Sequence, residues 1–360
     1  MKKPTVTFVS GHACIRCQKE ALPLINKDYD IHHISGNIPS FVEYYKTFTT
    51  CAGINHYADS IKLYDRITDI WHVQNEPSWF VTLIKELSDK PIVCDVHDTD
   101  LTRVTEEEVE ESRKKTRHDE GGNLHRVSVE ERNNFQLADG LVFVSEAVEK
   151  ITKDTFKLDQ PSIVLPHFVP KILYEYNSKE WLGGLVYEGR VDLKEKINKK
   201  PSMAGFRYCD YEEFATKCKE LDMDFHLYSM RTHEEFMKVY ENIAFVHEGY
   251  PYKQLLRMIS RHDWGLVGNL GWTPQWHYTA ANKLFDYVAA AVPVVAMNAD
   301  GCAQLIKEYD LGIVVESVEE LRDRWKEHRE KRKSLIKNRQ GVAMETHIHK
   351  LEDLYKEMTA

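Results

Sequence analysis

Apolar positions along this chain fall into short dense runs, separated by stretches with helical spacing. TVTFVS, DIWHVQ, PIVCDVHD, ADGLVFVS and PSIVLPHFVP are apolar or β-branched runs closed by Gly, Pro or polar clusters. Strands buried on both faces of a parallel sheet read this way. YDIHHIS has the same character. Between these runs, CIRCQKEALPLIN, SIKLYDRI and SWFVTLIKELS repeat apolar residues every three or four positions, as helices packed on a sheet do. The second half repeats the alternation. GGLVYEGR, FHLYSM, IAFVHEGY, WGLVGN, PVVAMN and GIVVES read as strands, with YEEFATKCKELD, EEFMKVYEN, YKQLLRMISRH, NKLFDYVAAA and CAQLIKEYD as the helices between them. VEELRDRWKEHREKRKSL and METHIHKLEDLYKEM close the chain as helices. No fixed period recurs, which excludes solenoids and propellers. The pattern predicts an α/β protein with two Rossmann-like, doubly wound parallel-sheet domains.

Pro161, Pro166 and Pro170 form a stiff connector, because proline restricts its own φ and the preceding residue. The predicted division is a first domain over 1–168, a second over 169–340 and a terminal helix over 341–360. Thr102 to Arg132 breaks the alternation with dense mixed charge around Gly121 and Gly122. It reads as solvated helix around a loop, the sharper alternative being a flap beside a cleft.

Composition narrows the class. At 360 residues the chain exceeds what one core usually supports. A net charge of −9 weighs against wrapping a nucleic-acid backbone. Seven scattered cysteines argue against a disulfide framework and for a reducing, cytoplasmic setting. Cys14 and Cys17 have CxxC spacing near His12, but no second pair follows, so they read as ordinary thiols rather than metal ligands. The apolar run after Met1 is too short for a signal peptide, and no run reaches the ~20 residues of a membrane helix. Peripheral contact with a membrane surface stays open.

In open parallel sheets, ligands bind beyond the carboxyl ends of the strands, where helix N-termini also favour anions. Polar residues that follow a predicted strand are therefore the candidates. In the second half they are Gly189 and Arg190, Ser229 and Arg231, Glu248, Gly249 and Tyr250, Asn269, and Asp300 with Gly301. The helix carrying Asn282, Lys283 and Asp286 starts in the same layer. Arg190 and Lys196 suit a diphosphate, and Asp286 suits ribose hydroxyls. A plain i, i+3 ion pair between Lys283 and Asp286 is the equal alternative. In the first half the candidates are Gly11 and His12, Asn75 and Glu76, and His97 and Asp98. His97 beside a carboxylate suits acid–base or hydrogen-bonding work, or is simply satisfied by its neighbours.

DIWHVQNEPSW, VCDVHD, ADGLVFVSEA, GLVYEGRV and NKLFDYVAAAVPVVA follow one another in the order seen in a known family. The chain resembles the retaining GT-B glycosyltransferases of the family-four type (glycosyl transferases group 1) over nearly its whole length. The resemblance implies two domains facing across a cleft, with the last helix crossing back to the first. It implies transfer of a sugar from a nucleotide-sugar donor, a UDP- or GDP-sugar, to an acceptor hydroxyl on a glycan, a lipid-linked substrate or a small molecule. Configuration would be retained, with no metal and no further cofactor. By position, Arg190 and Lys196 would hold the diphosphate and Asp286 the ribose. His97 would sit by the donor sugar and the reacting centre, and Gly11 and His12 would face the donor. Glu248, Gly249 and Tyr250 would flank the base, and Gly189, Asn282 and Lys283 would complete the donor site. Tyr278 stands where the family has the first Glu of Glu-x7-Glu, and Val292 where it has Gly. Trp272, Trp276 and His277 either replace that carboxylate or serve as packing. An epimerase, a non-catalytic nucleotide-sugar binding protein and a nucleobase-modifying transferase are the competing classes.

Overall fold

The computed structural model describes residues 3–12, 14–38, 40–75, 78–105, 107–108, 130–175, 180–195, 208–229 and 234–359. The chain divides into two compact units. The first takes the residues up to Leu101, a stretch ending at Pro170, and Met344 onward. The second takes Lys171–Ala343 with the segment that starts at Thr102. Most of the charged Thr102–Arg132 stretch lies outside the described residues.

The first unit holds a seven-stranded sheet in the order β3-β2-β1-β4-β5-β6-β7. Its strands are β1 (Thr5–Ser10), β2 (Asp30–Ser35), β3 (Thr47–Thr50), β4 (Ile70–Gln74), β5 (Ile92–Val96), β6 (Gly140–Phe143) and β7 (Ser162–Val164). All neighbours run parallel, with Val6 paired to Ile31 on one side and to Ile70 on the other. Every residue of β1 is buried, which is why its β-branched run is so legible. Helices α1 (Ile15–Ile25), α2 (Ile54–Tyr64), α3 (Phe80–Leu87) and α4 (Glu146–Phe156) make connections. β3 was not anticipated. It is a four-residue edge strand, TFTT, and mostly exposed, so it lacks the apolar signature of a strand covered on both faces.

The second unit holds a six-stranded sheet in the order β10-β9-β8-β11-β12-β13, again parallel. Its strands are β8 (Leu185–Glu188), β9 (Phe225–Tyr228), β10 (Phe245–His247), β11 (Trp264–Gly268), β12 (Val294–Met297) and β13 (Gly312–Val315). The helices are α5 (Glu212–Glu220), α6 (Glu234–Tyr240), α7 (Tyr252–Ile259), α8 (Pro274–Tyr278), α9 (Asn282–Ala289), α10 (Asp300–Tyr309), α11 (Val318–Asp323) and α12 (His328–Asn338). α9 seats Tyr287 on β11 so closely that a Cβ at Gly265 would lie 2.4 Å from the ring. The Tyr287 hydroxyl in turn accepts from Glu188 N at 3.1 Å.

The predicted long helix from Val318 is two helices, broken by a 3₁₀ turn at Trp325–Glu327. The terminal segment forms α13 (Met344–His347) and α14 (His349–Thr359) and packs in the first unit. Met344 N donates to Val169 O at 3.3 Å, and the Tyr355 hydroxyl lies 2.6 Å from His72 Nδ1.

In each sheet the strand order reverses once, between β1 and β4 and between β8 and β11. Crevices at the carboxyl ends form where order reverses. These points select Ser10–Gly11 with Asn75 in the first unit, and Gly189 with Gly268 in the second.

Candidate active site

In the second unit β8 ends at Glu188 and the chain turns at Gly189 with φ of 122°, a conformation that favours glycine. Gly189 N donates to Tyr228 O at 3.0 Å, which holds the turn against β9. A Cβ at Gly189 would lie 3.8 Å from Lys283 Nζ. The ammonium therefore sits directly over the turn. It lies 5.1 Å from the centre of the Tyr187 ring and 5.0 Å from that of Trp276. Two aromatic faces attract a cation by about 0.5–2 kcal/mol without neutralising it. Among the described residues no carboxylate pairs with Lys283.

Asp286, one turn further, is buried and accepts from the Tyr252 hydroxyl at 2.5 Å. A buried carboxylate demands such donors. Burial, and then the Asp286 charge, push the Tyr252 hydroxyl well above its usual pKa, so it stays a donor. The ion-pair alternative for Lys283 and Asp286 is not what the structure holds: the two side chains have separate partners. α9 begins after Ala281, whose side chain cannot cap the helix, so first-turn N–H groups have no capping oxygen. Asn282 opens the helix beside them.

Arg190 Nε donates to Asp192, a contact made within its own loop, and Arg190 O accepts from the Tyr187 hydroxyl at 3.1 Å. Lys196 and Arg231 lie outside the described residues. Glu248 and Gly249 are exposed after β10, and the Tyr250 ring stands 6.1 Å from that of Tyr228. Trp276 is fully buried, whereas Trp272 is half exposed with its ring 5.8 Å from His277. His277 Nδ1 is 2.7 Å from Asp300 Oδ2.

In the first unit Asn75 arranges the end of β5. Its Oδ1 accepts from His97 N at 3.4 Å, its Nδ2 donates to Asp98 O, and its N donates to Asp95 O at 3.0 Å. His97 is buried, with Nε2 3.9 Å from Asp98 Oδ2. Gly11 follows β1, and His12 is exposed with its carbonyl accepting from Cys14 N at 2.6 Å. Glu76 lies outside the described residues. Cys14 and Cys17 are free thiols in the buried start of α1, and burial pushes Cys14 up to about 11.

Sequence reasoning missed the buried ionic cluster beneath this face. Arg16 Nε donates to Asp95 at 2.6 and 2.8 Å, and Arg16 NH2 lies 3.0 Å from Glu20 Oε1. His72 Nε2 lies 3.3 Å from Glu20 Oε2, and Gln74 Nε2 donates to Asp95 at 3.0 Å. Glu20, His72 and Asp95 have metal-ligand chemistry and converge within 4.8 Å. The Arg16 guanidinium already supplies the cation there. Burial raises both carboxyls. For Asp95, Arg16 and then His72 overcome this and hold it well below its usual range. Glu20 stays well above its own, because burial outweighs Arg16. The Arg16 guanidinium thus favours ionisation of Asp95 over that of Glu20.

A groove of about 1230 Å³ in the second unit, lined by Trp181, His328 and Arg332, is away from these strand ends. There His328 Nε2 is 3.3 Å from Asp263 Oδ1, and the Arg332 guanidinium lies 4.2 Å over the Trp181 ring.

Residues 203–345 match the family described as "Glucosyltransferase 3-like, C-terminal domain". No curated protein sequence matches the chain. Among solved structures, the sucrose-phosphate synthase of Thermosynechococcus elongatus superposes with a TM-score of 0.72 at 11% identity, over 99% of each chain. HepE of Anabaena, in complex with UDP-glucose, superposes with a TM-score of 0.63 at 11% identity, over 99% of each chain. A glycosyltransferase of avilamycin A biosynthesis gives 0.62 at 11% identity, over 99% of this chain and 98% of that one. At these identities the likeness shows the fold. The chain thus has the GT-B fold over its whole length, and most of its second unit matches a glucosyltransferase 3-like C-terminal domain.

Proposed function

We propose that this protein transfers a sugar from a nucleotide-sugar donor to an acceptor hydroxyl, with retention of configuration and without a metal. The observation that carries the reading is Lys283: an ammonium held over the Gly189 turn by two rings, with no carboxylate partner among the described residues. A cation kept unneutralised at a strand end suits an anion, and a diphosphate is the anion that this fold's substrates bear. The uncapped start of α9 adds N–H donors to the same place. Asp286, held by Tyr252, faces ribose hydroxyls in this reading. UDP is favoured over GDP because HepE was solved with UDP-glucose.

In the reaction the bond between the anomeric carbon and the diphosphate oxygen breaks, and the acceptor oxygen bonds to that carbon. The acceptor proton leaves with the departing diphosphate. Lys283 and Arg190 offset the charge that grows on the leaving group; removing one such donor costs about 2.7–4 kcal/mol of barrier stabilisation. His97 is assigned to the sugar and the reacting centre, its backbone fixed by Asn75. Retention and metal independence rest on the resemblance of NKLFDYVAAAVPVVA and GLVYEGRV to the family-four enzymes.

The test is incubation with UDP-, GDP-, ADP- and dTDP-sugars against a broad acceptor panel, followed by mass spectrometry for the released nucleotide and glycosylated product. Release from one donor supports the reading. Failure of every donor to bind or react overturns it.

A further inference from the structure

The first unit keeps a second imidazole beside His97. The His167 ring stands 6.5 Å from that of His97 and is edge-on to it, at 80°. His167 is only 2% exposed. Arg16 NH1 lies 3.3 Å from His167 Nδ1, while Arg16 NH2 donates to Leu165 O at 2.9 Å. A guanidinium has no lone pair to offer, so Nδ1 must accept and the ring proton must sit on Nε2. Burial, then the charges of Arg16 and Lys19, hold the ring neutral. Arg16 is itself fixed by both oxygens of Asp95. The result is an imidazole locked as an N–H donor. His97 is complementary to it, because its Nδ1 is buried without a hydrogen-bond partner. A buried nitrogen left unmatched costs stability unless a ligand completes it.

We propose that His167 is a second substrate-contacting histidine, whose fixed Nε2–H donates to a hydroxyl oxygen of the sugar donor or of the acceptor, beside His97. This rests on the glycosyltransfer reading above, in which His97 serves the reacting centre. Arg16 is then a positioning residue: it sets the tautomer and touches no substrate. The arrangement predicts a donor that does not switch off with pH, which suits binding of a hydroxyl rather than proton exchange.

Two isosteric variants separate this role from mere packing. His167→Asn keeps an acceptor near Nδ1 for Arg16 but loses the far donor. His167→Gln places an amide N–H near the Nε2 position. Expected is a fall in kcat/KM on the order of 10- to 100-fold for His167→Asn, with unchanged thermal stability and partial recovery in His167→Gln. If His167→Asn also slows acceptor-free hydrolysis of the donor, the contact is to the donor sugar; if only transfer slows, it is to the acceptor. Wild-type turnover in His167→Asn, or equal loss in both variants, overturns the proposal. Nitrogen-15 NMR of the histidines in the intact protein reads the tautomer without any activity: a proton on Nδ1, or titration of His167 between pH 5.5 and 8, also overturns it. Absence of turnover in the wild type with every donor would instead sink the glycosyltransfer reading itself, and this contact with it.

Discussion

Tyr252 donates its hydroxyl proton to Asp286 across 2.5 Å, from α7 to α9 of the second unit. The carboxylate is 4% exposed, so water contributes little to its solvation. Tyr252→Phe should destabilise the protein by about 1.5–3 kcal/mol, the range for a lost hydrogen bond to a buried charge. Urea unfolding of the variant checks it. An unchanged midpoint would mean that Asp286 is solvated some other way.

The Arg16 cluster predicts a contrast between two carboxyls. Asp95 balances the guanidinium, so Asp95→Asn leaves a buried charge unmatched and should cost about 3–5 kcal/mol. Burial pushes the Glu20 carboxyl well above its usual range, so its amide isostere should change less: Glu20→Gln should cost under about 1.5 kcal/mol. Equal losses in denaturant unfolding of the two variants would contradict this division of charge.

Acid should loosen the second unit. His226 and His262 stand 4.4 Å apart between centroids, with His247 Nε2 2.9 Å from His226 Nδ1. Burial, and then neighbouring imidazoles, lower His226 to about 4 and His262 to about 3. Their folded pKa values lie below the unfolded value of 6.5, so the stability they hold is present above 6.5 and is lost as pH falls from there toward 4. Per histidine the loss between pH 7.5 and 5 is about 2 kcal/mol. Thermal melts across that window check it, and a flat profile would refute it.

A Cβ at residue 265 has no room beside Tyr287. Gly265→Ala should therefore cost about 1–3 kcal/mol, as overpacking does. Because Tyr287 also holds Glu188 N next to the Gly189 turn, nucleotide affinity should fall with it. Stability and affinity measured on the same variant test the coupling.

Much of the fold could be read along the chain, because strands covered on both faces leave continuous apolar runs. β3 could not be, since an exposed edge strand of TFTT needs no such run. The break at Trp325 was hidden by charged residues that suit a helix surface and a turn equally. At the site, strand ends pointed to Gly189, Lys283, Asp286 and His97, but not to which charges are matched. Sequence spacing offered an ion pair between Lys283 and Asp286, while three-dimensional packing gave one to Tyr187 and Trp276 and the other to Tyr252. The Arg16 cluster joins residues 16, 20, 72, 95, 167 and 355, and only the fold brings them together. Its one sequence signal is charge inside an otherwise buried helix start, IRCQKE, which also reads as an exposed face.

The central claim is that Lys283 grips a nucleotide diphosphate over the Gly189 turn. Its most direct test is calorimetric titration of UDP into the wild type and into Lys283→Ala. The account predicts saturable binding to the wild type, weakened roughly 10- to 100-fold in the variant without loss of melting temperature. Equal affinity in the two proteins, with the variant folded, would contradict it.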